Sequence, residues 1–322
     1  MRYLLELSKE NLDLSKEEAL SLIKEKHPIL LDNFLLISSN KKELDFISCR
    51  LAFTKGIYRI LFLCMEKNLN SYLNKFRWNG IYKKDFRVRL HYKSKISEKE
   101  TASIVWKKIS KPTVNLDNPE TNIHIFKLKD RVFCTLLERE LKQDYSSRKA
   151  HKRPVLHPSS LHPKLAKALI NLTGMKKGRI VDPFCGSGGI LIEAGLMGLN
   201  PVGYDIDQVM LNRAEINLKY FGINGFKLIK KDALKIKRKC EYIATDLPYG
   251  RNTRSGELRD LFSCFLSNLR EILGKRAVIA FPVFKGRNIN YSRLIKNSGF
   301  KIIHKFDHYL HSSLSKRIFV IS

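Results

Sequence analysis

The chain has 322 residues, 43% of them hydrophobic, and carries 60 Lys and Arg against 31 Asp and Glu, a net charge of +29. This length suits two or three globular domains with a sizeable core. No apolar run approaches the eighteen or so residues of a membrane span, and the opening segment turns acidic and polar too soon for a secretion signal, so a soluble cytoplasmic protein is expected.

Both halves of the chain are basic, and a field of this size points to a polyanionic partner, nucleic acid first. A lysine-rich composition that only solvates the surface would give the same charge. The six cysteines lie far apart, with no CxxC pair and no zinc spacing. They read as small hydrophobes in a reducing compartment, and no structural metal is expected.

Arg2–Leu7 reads as a strand. Ser15 and Glu18 then have capping-box spacing before a helix with Ala19, Leu22 and Ile23 inward. Residues 33–38 read as a second strand, and the apolar run 46–64 has room for a short helix and a strand. Residues 86–93 alternate as a strand does. Ser97 and Glu100 cap a helix through Ile109, and the Asp117-Asn118-Pro119 turn leads into a hairpin. Residues 141–163 are basic, contain proline and lack periodicity, as a linker would. A helix ending at Gly174 follows. After it, strands and helices alternate, which implies a parallel sheet with crossover helices.

The chemistry-bearing residues lie in that last part. Asp182 ends a strand and opens Asp-Pro-Phe-Cys-Gly-Ser-Gly-Gly, a strand–glycine turn–helix junction that lets backbone approach a ligand. The spacing is neither GxGxxG nor a P-loop, and a glycine turn alone says little. Asp205 ends the next strand at about the 20-residue spacing suited to a ribose acceptor, whereas Asp207 reads as a helix N-cap. Asp232 ends a third strand and Asp246 a fourth. Any one of these acids would pass for a cap. Four at the carboxyl ends of a parallel sheet line a ligand crevice.

Asp182-Pro-Phe-Cys-Gly-Ser-Gly-Gly together with Asp246-Leu-Pro-Tyr resembles the class I S-adenosylmethionine-dependent methyltransferases that modify exocyclic amino groups. One departure is Leu247, where the family's tetrapeptide has proline. The N-terminal half resembles a ferredoxin-like domain followed by a THUMP RNA-binding domain. Domain order and the Asp-Leu-Pro-Tyr-Gly-Arg-Asn-Thr-Arg run are most similar to the archaeal tRNA guanine-10 N2-methyltransferases.

The resemblance implies an α/β chain of four parts. These are a ferredoxin-like domain (1–60), a THUMP domain (61–140), a linker (141–155) and a Rossmann-like methyltransferase domain with a mostly parallel seven-stranded sheet (156–322). It also implies S-adenosylmethionine as cofactor and tRNA as partner, with a monomer expected. Asp182, Phe184, Gly186, Gly188, Asp205, Ile206, Asp232 and Ala233 would hold the cofactor, beside lead-in residues His157, Pro158 and Ser160. Asp246, the Leu247 carbonyl, Pro248 and Tyr249 would act on the guanine amino group, Tyr249 by stacking on the base. Cys185 would be a packing residue. Arg148, Lys149, Lys152, Arg153, Arg251 and Arg254 would meet phosphates. Guanosine 6 of tRNA, ribosomal RNA, a protein glutamine side chain and a non-catalytic RNA-binding role stay open at this stage.

Overall fold

The first of two seven-stranded sheets is built from β1 (Arg2–Leu7), β2 (Ile29–Leu31), β3 (Phe34–Ser38), β4 (Thr54–Cys64), β5 (Phe86–Leu90), β6 (Thr121–Leu128) and β7 (Arg131–Glu140). Their order is β2-β3-β1-β4-β7-β6-β5. All neighbours run antiparallel except β5 and β6. The structure is a computed structural model that describes residues 1–25, 27–156, 160–248, 255–286, 289–311 and 314–322. Helices α1 (Leu12–Leu22), α2 (Lys41–Arg50), α3 (Leu69–Lys75) and α4 (Glu98–Trp106) lie between these strands in sequence. The expected capping box of Ser97 and Glu100 is present at α4, and the expected hairpin is β6–β7, closed by the Leu128–Arg131 pair.

The second sheet contains β8 (Arg179–Asp182), β9 (Asn200–Asp205), β10 (Lys227–Lys230), β11 (Cys240–Asp246), β12 (Leu273–Phe284), β13 (Ile302–His311) and β14 (Leu314–Ile321). Their order is β10-β9-β8-β11-β12-β14-β13. β10, β9, β8, β11 and β12 pair in parallel, and β14 pairs antiparallel with both β12 and β13, so β14 alone is reversed. The expected mostly parallel seven-stranded sheet is therefore observed. Helix α5 (Pro163–Leu172) precedes these strands, and α6 (Gly189–Leu196), α7 (Gln208–Tyr220), α8 (Ser255–Ile272) and α9 (Tyr291–Asn297) connect them.

Successive side chains of a strand face opposite sides, and both sides of this sheet are buried. Ile180, Ala244, Val278, Ile318 and Val320 join the core that includes Leu165, Leu169 and Ile190. Their neighbours Val181, Ile243, Ile279, Phe319 and Ile321 join the core formed with Phe262, Phe265 and Leu269 of α8. This near-continuous apolar character is what a parallel sheet covered by helices requires.

The chain divides into two compact units, residues 1–12, 25–48 and 54–142 in one, and 13–24, 49–53 and 143–322 in the other. Residues 13–24 and 49–53 fall inside the expected first domain, yet they belong to the second unit. Glu18 explains this. Its buried carboxylate accepts from the Ala52 and Phe53 amides, each at 2.8 Å, and from Asn171 Nδ2 at 2.7 Å. Arg50 also donates to Asn171 Oδ1 and the Met175 carbonyl. The expected Ser15–Glu18 capping box is thus absent. Helix α1 starts earlier, at Leu12, and both residues are buried within it. Among the described residues, no helix is long and apolar enough to cross a membrane.

Candidate active site

A cavity of about 640 Å³ opens at the carboxyl ends of the parallel strands of the second sheet. Asp182, Asp205, Asp232 and Asp246 all line it, and Phe184, Ile206 and Ala233 supply apolar wall. That volume lies in the usual range for small-ligand pockets.

Asp182 is 2% exposed. Its Oδ1 accepts from Thr245 Oγ1 at 2.7 Å and from the Phe184 amide at 3.1 Å. Burial pushes its carboxyl up to about 7, and the nearby Asp246 and Asp205 push in the same direction. At neutral pH this carboxyl sits between its two protonation states.

The following loop turns on two glycines with positive φ, +48° at Gly186 and +87° at Gly188. A Cβ on Gly188 would press on Ala214 Cβ at 3.2 Å, whereas one on Gly186 would meet no protein atom within 4 Å. Gly188 therefore serves close packing, and Gly186 presents open backbone at the cavity wall. Cys185 fills space as expected. It is 5% exposed, its thiol is raised well above the usual range by burial, and its Sγ would lie 2.8 Å from a Cβ placed on Gly203.

Asp205 is tied to the loop. Its Oδ2 accepts from the Gly186 amide at 2.9 Å and its Oδ1 from the Asp207 amide at 3.0 Å. Each oxygen retains acceptor capacity. Asp207 caps α7, as expected, through a bond from the Val209 amide. Asp232 caps a short 3₁₀ turn through the Leu234 amide at 2.9 Å, so the capping role considered for it is realised while it also faces the cavity. Ile206 is 68% exposed at the cavity wall. Ser160 Oγ lies 3.0 Å from Ser187 Oγ, and both residues line the cavity.

Asp246 ends β11 with its side chain 13% exposed, and its Oδ1 accepts from Lys316 Nζ. Burial raises its carboxyl and Lys316 opposes that rise. Leu247 is fully buried, and its amide donates to the Ala280 carbonyl at 3.0 Å, so the sheet pairing continues one residue past Asp246. Leu247 and Pro248 line the cavity.

With that geometry in place, comparison with known proteins is informative. The chain is 32% identical to the tRNA (guanine(10)-N2)-dimethyltransferase of Methanothermobacter thermautotrophicus over 297 residues, covering 89% of this chain and 87% of that one. The chain belongs to this family. The enzyme of the same name from Pyrococcus abyssi is 38% identical over 215 residues, 65% of this chain and 64% of that one. A family model described as an RMKL-like methyltransferase domain matches residues 150–311, and one described as a DNA methylase matches residues 8–215. The latter span ends before β11. The crystal structure of TrmN from Thermus thermophilus superposes over 100% of this chain and 99% of that one with a TM-score of 0.55 at 19% identity, a likeness of fold.

Sequence reasoning did not single out Lys316 in this member of the dimethyltransferase family. It is the third residue of β14, fully buried, and lies 70 residues from Asp246. Lys316 stands between Ser315 and Arg317 in β14 and opposite Pro282 and His308, a polar setting that gives no sequence signal for it. Two expected phosphate contacts are differently placed. Arg148 is paired with buried Glu193 at 2.8 Å and lies over the Tyr145 ring. Arg153 is 5% exposed, with its Nε donating to the Arg148 carbonyl. Arg148 is half-buried with its guanidinium engaged by Glu193 and the Asp144 carbonyl, and Arg153 is enclosed. Lys149 is half-buried and Lys152 exposed. Tyr249, Arg251, Arg254, His157 and Pro158 lie outside the described residues.

Proposed function

We propose that this chain transfers one or two methyl groups from S-adenosylmethionine to N2 of guanosine 10 in tRNA. The observation that carries the reading is Asp246, a strand-end carboxylate held at the wall of an acid-lined cavity and opening the Asp-Leu-Pro-Tyr tetrapeptide. Membership of a family whose curated members carry the name of this reaction supports it, and the relatives' name favours two methyls.

The cavity fits the cofactor. Its acids suit a ligand with two positive centres, and the open backbone of Gly186 admits close approach. Gly186 and Gly188 would border the amino-acid end, with Asp182 facing it. Asp205 would accept from the ribose hydroxyls, and Asp232 from the adenine amino group. Ile206, Ala233 and Phe184 would contact the apolar faces. When bound, the cofactor supplies a methyl group on a sulfonium sulfur.

A guanine amino group is a poor nucleophile because its lone pair is delocalised into the ring. Asp246 accepts from one of its hydrogens and the Leu247 carbonyl from the other, which aims the lone pair at the incoming carbon. Positive charge grows on nitrogen as the bond forms, and the Asp246 carboxylate stabilises it. Asp246 takes the proton that nitrogen sheds and passes it to water. Tyr249 stacks on the splayed-out base. Residues 1–60 and 61–140 act as ferredoxin-like and THUMP modules that position tRNA in the cytoplasm, with Lys149, Lys152, Arg251 and Arg254 on phosphates. The charge of +29 supports this part of the reading.

Incubation of the full chain with an unmodified tRNA transcript and labelled cofactor, followed by nucleoside mapping, tests the proposal. N2-methylguanosine or N2,N2-dimethylguanosine at position 10 is expected. Label at guanosine 6, label only in ribosomal RNA, or cofactor binding without any transfer would each refute it.

A further inference from the structure

Lys316 has no exposed side-chain surface; burial pushes its ammonium below the usual lysine range and Asp246 opposes that push. The reversal of β14 brings the beginning of that strand to the end of the sheet where the parallel strands finish. That placement lets a residue early in β14 reach the carboxylate at the end of β11. Burying an ammonium is costly unless a well-placed partner offsets the lost hydration. Methyl transfer to an amino group needs no cation at this position, so the charge needs another explanation.

We propose that Lys316 is a positioning residue for methyl transfer, keeping Asp246 ionised and holding its Oδ1 so that Oδ2 faces the reacting amino group. The inference rests on the role given to Asp246 above. Without a cation, burial would favour the neutral acid. A protonated carboxyl would point a donor at a group that needs acceptors. The ion pair also fixes the plane of the carboxylate, since one oxygen is held by a side chain confined in the sheet. Asp246 loses some of its pull on the growing positive charge through Lys316, but it gains a defined protonation state and orientation. Among the described residues, Asp182 and Asp205 line the same cavity as Asp246, and His308 stands beside Lys316 on β13. Asp182 adds negative charge as it ionises, which makes a fixed local cation more necessary.

The test uses the whole chain with Lys316→Met and Lys316→Gln, the second keeping length and a donor without charge. Carbon-13 NMR of labelled aspartate, with Asp246→Asn providing the assignment, reads the Asp246 titration directly in cofactor-free protein. The unmutated chain should show Asp246 ionised at pH 7, and both variants should move its titration upward by about one pH unit or more. Single-turnover methylation at pH 7 should fall in proportion to the ionised fraction lost, about tenfold where the variants' carboxyl titrates one unit above that pH, and recover as pH rises, with tRNA and cofactor affinities unchanged. A carboxyl protonated at pH 7 in the unmutated chain overturns the proposal, and this measurement needs no variant to fold. So does an unmoved titration in folded variants, even if they melt earlier. If Asp246→Ala is fully active, the assigned role of Asp246 fails instead. If Asp246→Ala is inactive and the Lys316 variants titrate normally, only the role of Lys316 fails.

Discussion

Gly186 donates its amide to Asp205 Oδ2 at 2.9 Å, which fastens the glycine turn after β8 to the end of β9. Asp205 therefore shapes the loop, and under the proposed cofactor placement its remaining lone pairs would go to the ribose. Asp205→Ala should weaken cofactor binding by roughly 2–4 kcal/mol, the value of the charge-assisted bonds lost. Calorimetric titration of the folded variant checks this, and an unchanged affinity would remove Asp205 from the cofactor site.

Under the proposed cofactor placement, Asp182 should make cofactor binding pH-dependent. Its carboxyl, ordinarily at 3.8, is raised to about 7 by burial and by neighbouring acids. A raised carboxyl contributes stability that is fully present below about 4 and is lost as pH rises through 7. A cationic ligand prefers the ionised form. Cofactor affinity should therefore rise with pH up to about 7 and level off above it, with proton release on binding below 7. Titrations in buffers of different ionisation enthalpy measure that release. Asp182→Asn should abolish both the release and the slope, and a slope that survives this substitution would assign it elsewhere.

Leu247→Pro restores the proline that relatives of the tetrapeptide carry, and the sequence alone favours tolerance. The structure predicts otherwise. The Leu247 amide is bonded to the Ala280 carbonyl, and its side chain is buried in the core under α8. The substitution should cost roughly 2–4 kcal/mol, from one unpaired carbonyl and lost packing. Thermal unfolding reads this directly, and an unchanged melting temperature would mean the sheet adjusts around the proline.

A fragment that starts at residue 155 should be markedly less stable than the same unit in the full chain. Such a fragment lacks Leu14 and Phe53 from its core, and Glu18 and Arg50 from the partners of Asn171. Glu18→Ala, in the full chain, leaves the Ala52 and Phe53 amides without their acceptor and should cost about 3 kcal/mol, or roughly 6–12 °C in Tm. A melting temperature within a degree or two of the parent would show that these segments are not needed to hold the unit together.

Much of the site was legible because its residues sit where periodicity changes. Asp182, Asp205 and Asp246 each end a β-branched or apolar run, and Gly186 and Gly188 stand at the turn between strand and helix. The capping boxes show the limit of local reasoning. Ser97–Glu100 forms as its spacing predicts, while Ser15–Glu18 does not, because Glu18 is claimed by amides more than thirty residues away. Lys316 was missed for the same reason. Its partner lies 70 residues upstream, and only the reversal of β14 brings the two together. Arg148 and Arg153 read as surface charge because their spacing gives no hint of Glu193 or of the enclosing fold.

The most direct test of the central claim is single-turnover methylation of unmodified tRNA by Asp246→Ala, with cofactor and tRNA affinities measured on the same preparation. Loss of one preorganised electrostatic partner typically costs on the order of 10²–10³ in rate, and Asp246 is also assigned the orientation of the amino group. The account predicts a loss of at least that size with both affinities largely retained. A folded Asp246→Ala variant that methylates guanosine 10 at close to the parental rate would contradict it.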